Sequence, residues 1–252
     1  MVSKPKYKPA AKPAKQEAEI KEDSSLLPPN WPQNIIFLTE PTYTTSALLS
    51  RPLLTHSPSS SPSTWPLIPS SSLSLSPISP NVQILPITHP STHPAHGQLG
   101  LFATQPLLPS QFILLYLGLV HTNSLSDSDS SSDYDLSFDR ELDLSIDAAR
   151  MGNEARCAND FRGVAERPNA EFGDCFVQVP SAKRVGGRKW ERRVGVFVVS
   201  KNKKGGKGKG GIRAGEEILV SYGKGFWEGR GLLDMFAKGH IEQVGETIDG
   251  GG

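Results

Sequence analysis

Apolar positions along the chain fall into two regimes. From about residue 97 they gather into runs of strand length, separated by turn residues. Gly97-Gln-Leu-Gly100-Leu-Phe-Ala103 reads as a glycine turn entering a strand. Phe112-Ile-Leu-Leu-Tyr-Leu-Gly-Leu-Val120 reads as one buried strand, since nine residues fall well short of the ~20 that span a bilayer as a helix. Asp133 to Asp139 alternates side chains in the strand manner. Leu144 to Ala149, Glu171 to Val179 and Arg193 to Ser200 are further strands, and Thr122 to Ser132 is a Ser/Asp-rich surface loop. Leu232, Leu233 and Phe236 have helical spacing, which predicts a short helix over residues 228–238 closed by Gly239.

Before residue 97 this order is missing. Residues 1–29 are basic and proline-spaced, then briefly acidic, so they are either a solvated tail or a nuclear-localisation or acid-binding patch. Residues 31–96 are dominated by Ser, Pro, Thr and Leu, with leucines at no period of 2 or 3.6. Proline removes backbone donors, and scattered leucines form no face to offset the ordering entropy. The expectation is therefore disorder over residues 1–95. Within it, Asn34-Ile-Ile-Phe-Leu-Thr39 is open to reading as a strand or as a docking peptide.

Composition supports one folded domain with a disordered partner segment: of 252 residues only 37% are hydrophobic, while Gly (24) and Pro (21) are plentiful. The net charge of +1 hides a segregated distribution. Lys183, Arg184, Arg188, Lys189, Arg192 and Arg193 lie close together, and the run from Lys201 to Lys209 is Lys- and Gly-rich. Two cysteines, Cys157 and Cys175, make neither a disulfide framework nor a four-ligand zinc site, and they suit a reducing compartment. No apolar leader opens the chain, and no membrane association is expected.

Two stretches carry candidate chemistry. Met151 to Asp160, continuing to Pro168-Asn169, is a polar, glycine-containing segment with Asn153, Arg156 and Asn159 spaced three apart. Such a segment offers amides, a guanidinium and backbone groups together. The second is Gly215-Glu-Glu-Ile-Leu-Val-Ser-Tyr222-Gly223. The pair resembles the signature segments of SET-domain lysine methyltransferases, G-N-x-x-R-F-x-N-H…P-N and G-E-E-L-x-x-x-Y-G. The preceding Gly97–Ala103 turn, Tyr116-Leu-Gly118, the Asp133–Asp139 strand, Ile146-Asp147-Ala148, and Phe226-Trp227 resemble family segments in the same order. The chain departs from the pattern at Gln98, at Cys157 (usually Phe), at Asp160 (usually His) and at Val220 (usually Tyr or Phe).

The resemblance implies a mainly β fold with short helices, a SET domain over residues 96–230 with small curled sheets and a knot-like core, and a short helix and Gly-rich tail over 231–252. It implies S-adenosyl-L-methionine as cofactor and a protein lysine, in a histone tail or elsewhere, as substrate. Tyr222 is then the catalytic tyrosine and Tyr134 its partner across the lysine channel; on the residues alone, both are ordinary half-buried strand tyrosines. Gly100, Leu101, Phe102, Arg156, Cys157, Asn159, Asp160 and Trp227 are implied cofactor contacts, and Val220 and Phe226 implied channel residues. No cysteine-rich segment flanks the domain, so no metal is expected. The expected protein is a nuclear monomer, with the cytoplasm open. It methylates a histone or another chromatin protein, or serves as a catalytically weak SET-fold adaptor. In either case Lys201 to Lys209 is a nucleosome or nucleic-acid contact or a plain solvated loop.

Overall fold

The computed structural model describes residues 27–56, 64–73, 76–181, 187–200 and 210–228. The fold is mainly β, as expected, with small sheets and two short α-helices among the described residues. None of these helices is long and apolar enough to cross a membrane.

The longest pairing is a hairpin-like pair, β13 (Ala170–Pro180) against β14 (Arg188–Val198), in unbroken antiparallel register from Ala170↔Val198 to Pro180↔Arg188. β14 thus begins earlier than the apolar run suggested and takes the basic residues with it. Arg193 is buried and its guanidinium meets Glu191, while Arg192 pairs with Asp174 and Asp139. These two arginines serve the fold rather than a basic surface. Lys183, Arg184 and the run from Lys201 to Lys209 lie outside the described residues.

The apolar run at 112–120 is two strands, not one. β7 (Phe112–Leu115) pairs with β14, and β8 (Leu119–Thr122) joins a second sheet with β9 (Asp135–Asp139) and β10 (Leu144–Asp147). Gly118 makes the step possible: a Cβ there would lie 2.4 Å from the carbonyl oxygen of Asp147, so only glycine lets the chain pass so close.

The N-terminal half corrects the expectation of disorder. Residues 27–56, 64–73 and 76–95 add strands to sheets built by the rest of the chain. β1 (Ile36–Phe37) runs parallel to β11 (Met151–Gly152), and β2 (Thr42–Tyr43) parallel to β8. After helix α1 (Thr45–Ser50), β3 (Thr55–His56) pairs with β14 and β4 (Leu67–Ile68) with β13. β5 (Val82–Pro86) pairs with β6 (Leu99–Ala103) over five residues. Trp31, Ala47, Leu54, Val82 and Ile84 belong to the main core with Leu101, Ile146 and Val196. A two-residue strand carries no periodicity, and its apolar residues find cover only against distant strands. Proline is tolerated because these are edge pairings. Residues 1–26 lie outside the described residues.

At the other end, helix α2 (Lys224–Glu228) starts before the expected one; residues 229–252, including the predicted apolar face, lie outside the described residues.

Candidate active site

The two signature segments meet side by side. β12 (Asn159–Asp160) runs parallel to β15 (Leu219–Val220), with Asn159 opposite Leu219 and Asp160 opposite Val220. Asn169 clips the junction with its amide: Nδ2 donates to the Glu217 carbonyl at 2.7 Å, and Oδ1 accepts from the Leu219 N–H at 2.8 Å. The buried Asp160 carboxylate accepts the Tyr222 N–H at 2.7 Å and pairs with the Arg162 guanidinium at 2.8 Å. Asp160 therefore fixes the backbone of the tyrosine with its side chain, in a position where the SET pattern has histidine.

Two cavities of unlike size share walls around this junction. The larger, about 480 Å³, is lined by Pro94, Gln98 and Leu99, by Arg156, Cys157, Asn159 and Asp160, and by Tyr134, Tyr222, Phe226 and Trp227. The smaller, about 50 Å³, lies between Tyr116, Tyr134, Phe172, Tyr222 and Phe226, with Arg156 and Ala158 beside them. Tyr134, Arg156, Tyr222 and Phe226 face both. The aromatic groups pack on one another: Tyr222 stacks on Trp227 at 6.2 Å and 12°, and meets Phe226 edge-on at 4.9 Å.

Polar groups at the junction are held by backbone carbonyls. The Tyr222 hydroxyl donates to the Ala158 carbonyl at 2.9 Å, and the buried Tyr116 hydroxyl to the Tyr134 carbonyl at 2.7 Å. Burial, then the neighbouring Tyr134, pushes the Tyr222 phenol well above its ordinary value; burial and Tyr222 do the same to Tyr116. Both remain O–H groups at neutral pH. The Arg156 guanidinium donates to the Ala148 carbonyl at 2.9 Å and lies 4.3 Å over the Tyr134 ring. Burial pushes the Cys157 thiol up to about 11, so it lines the large cavity as a neutral group.

Eight of the sequence-derived site residues come together here: Tyr134, Arg156, Cys157, Asn159, Asp160, Tyr222, Phe226 and Trp227 all line the larger cavity. Gly100, Leu101 and Phe102 line neither cavity. Both edges of β6 are already used, by β5 on one side and on the other by the Ile218 N–H donating to the Leu101 carbonyl and the Phe102–Glu217 bridge. The wall is formed earlier in the chain, at Gln98 and Leu99. Val220 also lines neither cavity; it is fully buried in the main core. Residues that sequence reasoning missed include His93 and Pro32 on the larger cavity and Tyr116 on the smaller. Tyr116 sat in a recognised motif, but His93 had no signal beyond being a histidine in a Ser/Pro-rich stretch.

No protein-family model matches the sequence, and no curated protein is recognisably similar to it. Among solved structures, the chain resembles the S-adenosylmethionine-bound, autoinhibited ctPRC2, with 19% identity, a TM-score of 0.40, and coverage of 66% of this chain and 17% of that one. It also resembles a humanized mutant of the Chaetomium thermophilum Polycomb Repressive Complex 2 bound to the inhibitor GSK126, with 19% identity, a TM-score of 0.36, and coverage of 56% and 14%. A third is ctPRC2 in complex with H3K27me3 and H3K27M, with 22% identity, a TM-score of 0.35, and coverage of 53% and 14%. The chain thus spans less than a fifth of the length of each of these.

Proposed function

We propose that this chain is an S-adenosylmethionine-dependent protein-lysine N-methyltransferase, acting in the nucleus on a histone or another chromatin protein. The observation that carries the reading is the pair of cavities sharing Tyr134, Arg156, Tyr222 and Phe226, one the size of a small-molecule site and one narrow and aromatic. The residues present suit such a cofactor. The Tyr222–Trp227 stack and Phe226 offer flat apolar surface, and Asn159 and the backbone around Gln98 offer polar contacts. The bound cofactor supplies a methyl group on a positively charged sulfur.

The protein's own part is to prepare the amine. Rings of Tyr116, Tyr134, Phe172, Tyr222 and Phe226 enclose a lysine stem in the narrow cavity. Because the Tyr116 and Tyr222 hydroxyls donate to carbonyls, their lone pairs are left to accept N–H bonds from the amine and aim its own lone pair. Neither phenol serves as a base, since burial keeps both protonated. The lysine must arrive neutral although its solution pKa is ~10.4. A narrow aromatic cavity disfavours the ammonium form, and the Arg156 guanidinium on its wall acts in the same direction. Asp133, exposed on this cavity, favours approach of a cationic segment.

The test is incubation with isotopically labelled cofactor and a panel of histones and nuclear lysate, read by mass spectrometry. Methyl-lysine is expected with the wild type. Tyr222→Phe should lose on the order of 10²-fold in turnover while still binding cofactor, as removal of a positioned hydroxyl does elsewhere. Tight cofactor binding with no labelled product across the panel would replace this reading with that of a non-catalytic adaptor.

A further inference from the structure

We infer that His93 is a positioning residue: acting through Glu217, it holds the Asn159 amide at the wall of the larger cavity. The inference rests on the proposed cofactor role of that cavity. His93 is buried, with its Nε2 3.1 Å from Glu217 Oε2. The other Glu217 oxygen accepts from Asn159 Nδ2 at 2.9 Å, and the same nitrogen reaches the Leu99 carbonyl at 3.2 Å. One carboxylate therefore ties a histidine from the N-terminal half to an asparagine of the signature segment. His93 and Asn159 both line the cavity.

Three observations give this arrangement a direction. The Ala95 N–H donates to His93 Nδ1 at 3.0 Å, so Nδ1 is an acceptor and the ring proton sits on Nε2, facing Glu217. That makes the His93–Glu217 contact a donation to a carboxylate, the stronger kind of hydrogen bond. The carboxylate also packs closely on Gly100: a Cβ there would lie 2.9 Å from Glu217 Oε1, so a side chain at that position would push the carboxylate aside. Finally, with its Nδ2 hydrogens spent on Glu217 and Leu99, Asn159 keeps its Oδ1 as the group to present to a ligand. A donor on the cofactor, such as an amino group, is the chemistry that oxygen recognises.

The experiment compares wild type, His93→Gln, His93→Phe and Glu217→Gln in the full chain. Glutamine can place an amide N–H where Nε2 sits, whereas phenylalanine keeps the volume and removes the donor. Two readouts are taken: the NMR signals of the Asn159 side-chain amide without cofactor, and the Kd for S-adenosylmethionine by calorimetry. His93→Phe and Glu217→Gln are expected to move the Asn159 amide signals and to weaken binding about tenfold, as loss of ~1.4 kcal/mol does. His93→Gln should stay near wild type in both. The double variant should be no weaker than either single one, because one path carries both effects. Unmoved Asn159 signals in folded His93→Phe and Glu217→Gln would overturn the inference. Moved signals in a protein that binds no cofactor would instead uphold the positioning and overturn the proposed function.

Discussion

The carboxylate of Asp160 accepts the backbone N–H of Tyr222 at 2.7 Å, across 62 residues of sequence. The contact makes the position of the tyrosine depend on a side chain rather than on strand pairing alone. It also makes Asp160 a charged group whose partner, Arg162, is itself mostly buried. Asp160→Ala removes both interactions and is expected to cost about 2 kcal/mol, since it strands a largely buried arginine. Asp160→Asn keeps an acceptor for Tyr222 and should cost about half as much. Urea denaturation of the two variants checks the order; equal losses would show that the charge, not the acceptor, is what matters.

The described residues between 27 and 95 are expected to be required for the fold. A chain beginning at Gly97 lacks β1 to β5 and uncovers Leu101, Ile146 and Val196, which pack with Trp31, Ala47 and Ile84 in the intact core. Large exposed apolar patches of this kind drive aggregation. The truncated chain is expected to be insoluble, or to lose its cooperative melting transition, where the full chain melts as one unit. A soluble, cooperatively melting fragment would show that residues 97–228 hold a core by themselves.

Val220 is packed into the core rather than onto a cavity wall. It is fully buried opposite Asp160 and away from both cavities, so Val220→Tyr forces a larger ring into filled space. The expected result is a loss of roughly 1–3 kcal/mol in stability, as overpacking gives. Thermal denaturation beside wild type measures it; an unchanged melting temperature would show that the site has room for the ring.

His121 makes stability depend on pH on the alkaline side. It is buried, with Nε2 3.2 Å from Asp135 Oδ1 and Nδ1 2.8 Å from the Thr122 carbonyl oxygen, so both ring nitrogens face acceptors. The bond to Asp135 outweighs the opposing effect of burial, and with the Thr122 carbonyl raises the imidazole from 6.5 to about 9. A pKa raised on folding gives stability that is fully present below the unfolded value and is lost as pH rises through the folded one. Stability should therefore fall between pH 6.5 and 9, by on the order of 2 kcal/mol after allowance for the partly exposed Asp135. His121→Gln should flatten that part of the pH profile; an unchanged slope would assign it to another group.

The chemistry-bearing half of the fold was legible because its signals are local. β6, β10 and β13 fall where apolar runs and turn residues placed them, and the two signature segments are neighbours in the fold. What could not be read depends on partners distant in sequence. Ile36 and Phe37 become a strand only because Met151 and Gly152 lie alongside. Val82 and Ile84 are buried by pairing with β6, not by a pattern of their own. Leu101 and Phe102 belonged to a recognisable motif, yet Ile218 and Glu217 claim the edge that a ligand was expected to use. His93 acquires its place from Glu217, 124 residues away.

The parallel pairing of β12 with β15 also has a bearing on how the protein comes into being. Parallel neighbours cannot be joined by a tight turn, and here all of β13 and β14 are threaded between them. The β13–β14 hairpin can zip from its own ends, whereas the junction beneath Tyr222 must wait for a long loop to close at an entropic cost. During synthesis the residues at 159–160 emerge well before those at 219–222, and until the latter arrive the Asn169 side chain lacks its backbone partners and Asp160 reaches only the N–H of nearby Arg162. The β13–β14 pairing is therefore expected to form before the junction of β12 with β15.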